Sequence, residues 1–117
     1  MQLDRMAKLV MRVAELTAEG QIPWEEGTIS DRYVAHIGSH RVFIDRHDSE
    51  VPYSDPDYTM GFLSATDEYI DSTSDVELKE LIPGSFKLMQ HLHNSARRKA
   101  KGVDRLVDDI LRDLEGI

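Results

Sequence analysis

The sequence predicts an α+β fold, with a helix at each end of the chain and a small antiparallel sheet between them. Near both ends, apolar residues recur at steps of three and four, which is the period of an amphipathic helix. Between the ends, a hairpin pattern and short apolar segments bounded by Pro, Gly and Ser indicate strands. The expected order is α-β-β-β-β-α, with three to four strands and both terminal helices on one face of the sheet. A length of 117 residues suits a single α+β domain, residues 1–117.

Composition and charge exclude several classes of protein. The chain contains no cysteine, which excludes a disulfide framework, thiolate catalysis and a Cys-based zinc site. No apolar run approaches the roughly 20 residues that span a bilayer, and the N-terminus leads directly into a charged helical pattern. We therefore expect a cytoplasmic protein with no membrane association. The net charge of −8 repels phosphate, which argues against general nucleic-acid binding.

The N-terminal segment predicts a helix over Leu3–Glu19. Gly20 suits the left-handed position just after a helix, and Pro23 prevents its continuation. The single tryptophan, Trp24, follows in a short strand or extended link over residues 22–27. We expect its side chain to seal the edge of the core.

Residues 31–46 predict a β-hairpin around Gly38-Ser39, because Gly followed by Ser suits a type II′ turn. One face of this hairpin is apolar enough to face the core. The register pairs Tyr33 with Ile44, Ala35 with Val42 and Ile37 with His40 on that face, and Arg32 with Asp45, Val34 with Phe43 and His36 with Arg41 on the other.

The segment after the hairpin predicts a polar loop, two strands and a short helix. The loop covers residues 47–57, and the strands cover Tyr58–Ser64 and Glu68–Asp71. Residues 72–75 are predicted to form a turn that caps a short helix over Val76–Leu81.

The C-terminal segment, Ser85–Glu115, predicts one long helix with a heptad seam. A helix of about 31 residues spans roughly 46 Å, whereas a compact domain of this size is about 35 Å across. The seam therefore extends beyond its own sheet, unless the helix bends at Gly102 and folds back. The seam consists of Phe86, Met89, His93, Ala96, Ala100, Val103, Val107, Ile110, Leu114 and Ile117.

This seam favours self-association, with a dimer as the expected state, because a strict heptad stripe is narrower than an ordinary core face. His93 is interpreted as a core or interface histidine, with a pH switch as the alternative. The candidate oligomer interface is Met89, His93, Ala96, Ala100, Val103, Val107, Ile110 and Leu114.

No motif for metal binding or catalysis is present. In the predicted register His36 and His40 point to opposite faces of the sheet, and His91 and His93 lie about 200° apart around a helix. There is no nucleophile elbow and no Gly-rich phosphate loop, because the seven glycines are scattered singly. We therefore expect no enzyme activity, no metal and no cofactor.

The basic segment from Ser95 to Leu106 is the part of the sequence that most clearly indicates a ligand-binding site. From Ser95 to Leu106 there are five basic residues against one acidic residue, whereas Asp45 to Ile82 contains eleven acidic residues against two basic ones. One interpretation is a solvated helix face. The alternative is an anion site for a nucleotide, a nucleic-acid backbone or an acidic partner. The candidate anion-binding residues are Arg97, Arg98, Lys101 and Arg105.

The stretch Leu92–Asp104, the stretch Asp109–Leu114, the helix running into Trp24 and the Tyr58 strand together resemble a group of small uncharacterised bacterial proteins. In that group a helix leads to a tryptophan, a β-meander and a helix with an Ala-Arg…Ala…Val-Asp…Ile-Leu…Leu pattern. The group has no settled activity, so the resemblance implies the order of elements and no mechanism. The acidic loop over residues 47–57 is an elaboration on its pattern.

Two functions are compatible with these observations. The first is a non-catalytic, oligomeric binding or regulatory protein that acts on a macromolecular partner, such as an inhibitor, an antitoxin-like protein or a factor in phage–host conflict. The second is a small-ligand protein that binds a nucleotide or other anion on the basic face of the C-terminal helix.

Overall fold

The structure, a computed structural model, describes residues 2–117. It confirms the predicted α+β class and element order, with an N-terminal helix, an antiparallel sheet and C-terminal helices. The strands follow one another across the sheet in the order β1-β2-β3-β4-β5, and the short β1 is additional to the three to four expected. The elements are α1 (Gln2–Ala18), β1 (Glu25–Glu26), β2 (Arg32–Ile37), β3 (His40–His47), β4 (Asp57–Leu63), β5 (Tyr69–Ser74), α2 (Asp75–Leu78), α3 (Ser85–Ala100) and α4 (Val103–Glu115).

The end of α1 is set by Gly20, as predicted. This glycine has a φ of +75°, and its N–H donates to the carbonyl of Thr17 at 3.0 Å. The next N–H, from Gln21, donates to the carbonyl of Leu16 at 2.9 Å, which completes a Schellman motif. Trp24 is buried, and its indole Nε1–H donates to Thr17 Oγ1 at 3.0 Å. The chain leaving α1 is therefore tied back to the last turn of that helix.

The predicted hairpin register is confirmed for all six pairs of β2 and β3. Gly38 has a φ of +64°, a value that a glycine adopts at little cost at a two-residue turn. The face predicted to be internal, which we call the front face, is buried at Tyr33, Ala35, Val42 and Ile44.

The main core lies between the front face of the sheet and the two helices α1 and α3, which also contact each other. Side chains from the two helices and from the sheet interdigitate there, so the period-3.6 stripes of the helices meet the period-2 face of the sheet. Its most deeply buried members include Val10 from α1, Ala35, Ile44 and Met60 from the sheet, Leu78 from α2, and Met89 and Ala96 from α3.

The other face of the sheet, which we call the back face, carries a second and smaller cluster. Val34, Phe43 and Leu63 are buried there. The Arg32 guanidinium lies 4.2 Å from the centre of the Phe43 ring and donates to Asp45 Oδ2 at 2.8 Å. The guanidinium therefore covers the apolar cluster and neutralises the buried carboxylate of Asp45 at the same time.

The structure differs from the sequence prediction at β5. This strand continues through Ser72, Thr73 and Ser74, which were predicted to form a turn, because these residues pair with β4. Ser and Thr are common in turns, and only the neighbouring strand selects the extended conformation here. Ser74 still caps the following helix, since its Oγ accepts the N–H of Glu77 at 3.2 Å. That helix, α2, is shorter than predicted.

The single long C-terminal helix is divided in two, which corrects the prediction. α3 ends at Ala100, and Gly102 adopts the left-handed conformation with φ +61° and ψ +39°. The N–H of Gly102 donates to the carbonyl of Lys99 at 3.2 Å, and the carbonyl of Gly102 accepts from Leu106 at 2.9 Å. One glycine therefore closes α3 and opens α4, as its low helix propensity permits.

Candidate functional site

α4 presents an apolar face that its own chain leaves uncovered. None of the thirteen residues of this helix is buried. The five large apolar side chains fall within a stripe about 140° wide at 100° per residue, and each is between 47 and 56% exposed. We call this stripe the α4 face; it consists of Leu106, Val107, Ile110, Leu111 and Leu114.

Acidic side chains border the α4 face on both sides. At 100° per residue, two carboxylates flank one edge and three flank the other, whereas both arginines lie on the opposite side of the helix. Within residues 2–117, Asp104 pairs with Arg98 at 2.9 Å and Asp109 pairs with Arg112 at 3.2 Å. The other acidic residues of α4, which form no ion pair within that range, are Asp108, Asp113 and Glu115.

The structure divides the candidate oligomer interface at Gly102. Met89, His93 and Ala96 are buried in the chain's own core, so that half of the seam is internal, and Ala100 packs against the same core. Val103 is partly exposed. The remaining members, Val107, Ile110 and Leu114, belong to the α4 face. The continuous seam is thus replaced by a core stripe on α3 and an exposed stripe on α4.

A groove of about 750 Å³ lies between α1 and α3. Its charged border includes Lys8, which pairs with no other described residue, and Arg12, which pairs with Glu15 at 2.9 Å. His91 lies on the α3 side. The apolar residues that line this α1–α3 groove are Met11, Ala14, Ala18, Leu88 and Leu92.

The groove was not predicted from the sequence, although the apolar pattern of α1 indicates it. Beside its main apolar stripe, α1 has a second one at Ala7, Met11, Ala14 and Ala18, again at steps of four and three. Ala7 is buried, whereas Met11 is 52% exposed. Two adjacent stripes on one helix indicate a helix with apolar contacts on two sides.

The four candidate anion-binding residues do not form one cluster. Arg98 pairs with Asp104 of α4, and Lys101 Nζ donates to Glu26 Oε1 at 2.7 Å. That hydrogen bond raises the pKa of Lys101, so its ammonium group is charged at neutral pH. Arg105 is exposed on α4, without an ion pair to any residue in 2–117. Arg97 and Lys101 both line a small pocket of about 250 Å³ beside residues 26–33. Arg97, alone of the four, also lines a larger concave site.

That concave site is a polar pocket of about 470 Å³ in front of β2–β4. We call it the Arg46–Arg97 pocket. Arg97 donates to Asn94 Oδ1 at 3.1 Å, and Arg46 pairs with Asp48 at 3.0 Å. Arg46 comes from the end of β3, so only tertiary structure brings the two guanidinium groups to one pocket.

His93 forms the inner wall of this pocket and is uncharged. Its Nε2–H donates to the backbone carbonyl of Asp31 at 2.8 Å, and its ring packs against those of Tyr33 and Tyr58. Burial lowers the pKa of His93 below the usual value for an imidazole, so the ring is neutral at pH 7. The positive charge of the pocket therefore comes from its arginines.

Neither a metal cluster nor a membrane-spanning helix occurs in the part of the chain that the structure describes. Across residues 2–117, no group of three or more His, Asp or Glu side chains is arranged to hold a metal ion. In the same range, each helix is too short or too polar to cross a bilayer.

Comparison with known proteins adds no relative to these observations. No protein-family model, no curated protein and no solved structure matches the chain.

Proposed function

We propose that this is a non-catalytic, self-associating binding protein that regulates a macromolecular partner. The observation that carries the proposal is the α4 face, which is apolar, continuous and uncovered in the single chain. An exposed apolar patch bordered by charge is typical of a protein-interaction site. Inhibitors and antitoxin-like proteins are regulatory classes that work in this way.

Helix stability supports a partner for α4. A helix of this length is marginal in water on its own, and most helical stability in proteins comes from packing one apolar face. Covering the exposed half of each large apolar side chain on α4 contributes about 1 kcal/mol. Association would therefore stabilise both the helix and the complex.

The charge of the molecule indicates the class of macromolecule on which the oligomer would act. The net charge is −8, and the exposed loop between β3 and β4 adds carboxylates around the fully exposed Tyr53. An acidic surface steers a basic partner and repels phosphate. A basic protein surface is therefore the expected target.

Light scattering after size exclusion tests self-association directly. The expected mass at micromolar concentration is about twice the 13.4 kDa of one chain, falling toward one chain on dilution. A mass of 13.4 kDa throughout, up to the highest soluble concentration, would contradict the proposal.

A second candidate function is anion binding in the Arg46–Arg97 pocket, favoured by the convergence of two guanidinium groups beside Asn94. Titration calorimetry with nucleotides and cyclic nucleotides is expected to show binding that weakens with salt, because exposed charges are screened within about 10 Å at 0.1 M. Arg97→Glu should abolish the heat. Arg105→Glu is the matched control, since it makes the same charge change outside the pocket and should leave binding intact.

Absence of binding to every anion tested would remove this second candidate. Equal loss of binding in the Arg97 and Arg105 variants would show that net charge, rather than the pocket, accounts for any heat observed.

A further inference from the structure

We propose that the α4 face of each copy binds in the α1–α3 groove of a second copy, so that two chains exchange their C-terminal helices. The inference rests on the self-association proposed above and identifies the surface that receives α4. Three observations support it, namely the match of the two apolar surfaces, their opposite charge borders and the geometry at Gly102.

The two surfaces match in character and length. The α4 face runs from Leu106 to Leu114, and with Val103 its apolar stripe extends over about 17 Å at 1.5 Å per residue. The α1 wall of the groove, from Lys8 to Ala18, is about 15 Å long by the same measure. Small residues at positions 14 and 18 let a helix backbone approach closely. A helix laid in a groove between two others buries its apolar face on both sides.

Charge favours the α1–α3 groove, rather than a second α4, as the surface that receives the α4 face. Two α4 helices packed face to face would bring their acidic borders together, with Asp108, Asp113 and Glu115 of each copy left without partners. Like charges across an interface are destabilising. The border of the groove instead offers Lys8, which has no ion-pair partner among residues 2–117. Arg12 lies on the same border and pairs there with Glu15, so the unpaired charge of the border is positive.

The junction between α3 and α4 directs α4 away from its own groove. Gly102 is held by hydrogen bonds on both sides, and Arg98 of α3 pairs with Asp104 of α4 across the junction at 2.9 Å. The molecule is accordingly elongated, with extents of 57 × 39 × 25 Å. For α4 to fold back along its own α3, the Arg98–Asp104 pair and the cap at Gly102 would have to break. A groove on another copy requires neither change.

Exchange also closes the assembly. When each α4 occupies the groove of the other chain, a two-fold axis relates the chains, and both exposed apolar surfaces are covered. One-way docking would leave one groove and one α4 open and would propagate into a filament. The expected product is therefore a dimer.

Cross-linking between two single-cysteine variants tests the receiving surface, because the chain has no cysteine of its own. Met11→Cys and Leu111→Cys, prepared separately, are mixed, dissociated by dilution, reconcentrated and treated with a short bismaleimide. The expected product is a mixed covalent dimer at many-fold higher yield than the self-linked dimer of either variant. Since the two cysteines are on different chains, a fold-back within one chain cannot produce it.

A pair of substitutions provides an independent measure. Met11→Glu in the groove is expected to raise the dimer dissociation constant at least tenfold. Val51→Glu is the matched control, since it places the same charge at a similarly exposed apolar residue in the β3–β4 loop, and it should have no effect.

The outcomes separate this inference from the proposed function. Efficient self-linking of Leu111→Cys, with a dimer that Met11→Glu does not weaken, overturns the exchange and leaves self-association standing through α4 pairing. A monomer of the unmodified chain at every concentration overturns both.

Discussion

Replacing Ile110 with glutamate is expected to convert the self-associated protein into a monomer of about 13.4 kDa with its secondary structure retained. Ile110 lies at the centre of the α4 face and is 49% exposed in the single chain. A carboxylate there would have to be buried without a partner on association, which costs about 3 kcal/mol or roughly a hundredfold in the dissociation constant. The single chain carries no such cost, because the side chain points to water.

Arg112→Glu is the matched control for this substitution. It introduces the same side chain into the same helix, on the side opposite the α4 face. Light scattering should report a dimer for Arg112→Glu and a monomer for Ile110→Glu, and circular dichroism should show equal helix content at concentrations where both are monomeric. If both variants remain dimeric, α4 is not the interface.

Replacing Gly61 with alanine is expected to give a larger loss of stability than any other glycine-to-alanine substitution in this protein. A Cβ at this position in β4 would overlap the backbone oxygen of Asp71 and lie 2.7 Å from Ser72 Cβ and 2.8 Å from Phe43 Cε2. Backbone cannot move aside as a flexible side chain can, so β4 and β5 would have to separate. Overpacking of this kind costs about 3 kcal/mol, which lowers the Tm by roughly 10–15 °C.

Gly116→Ala is the control for the Gly61 variant. The nearest neighbour of a Cβ there is a carbonyl oxygen at 3.5 Å, and the backbone φ of −83° suits any residue. Thermal unfolding followed by circular dichroism should show no more than a small change, about 0.5 kcal/mol, for this variant. A Tm for Gly61→Ala within 2 °C of the parent, measured the same way, would show that the strands open at little cost.

The sequence by itself determined the elements whose cause is local. The end of α1 at Gly20 and the hairpin at Gly38 were predicted at the correct positions, because a glycine with positive φ acts on its own neighbours. The hairpin register followed from the turn, since a two-residue turn fixes every pair behind it. The amphipathic periods likewise identified α1, α3 and the apolar stripe of α4.

What covers each stripe was decided by tertiary structure alone. The sequence predicted a continuous seam in the C-terminal segment. The left-handed conformation of Gly102 divides it, so that Met89 on α3 is buried in the core and Ile110 on α4 is exposed to water. The four predicted anion-binding residues do not form one cluster, again because of tertiary contacts. Lys101, for example, pairs with Glu26, which lies 75 residues away in the sequence. Periodicity shows that a face is apolar or charged, since that depends on residues within a few turns. The partner that neutralises or covers the face depends on where distant segments pack.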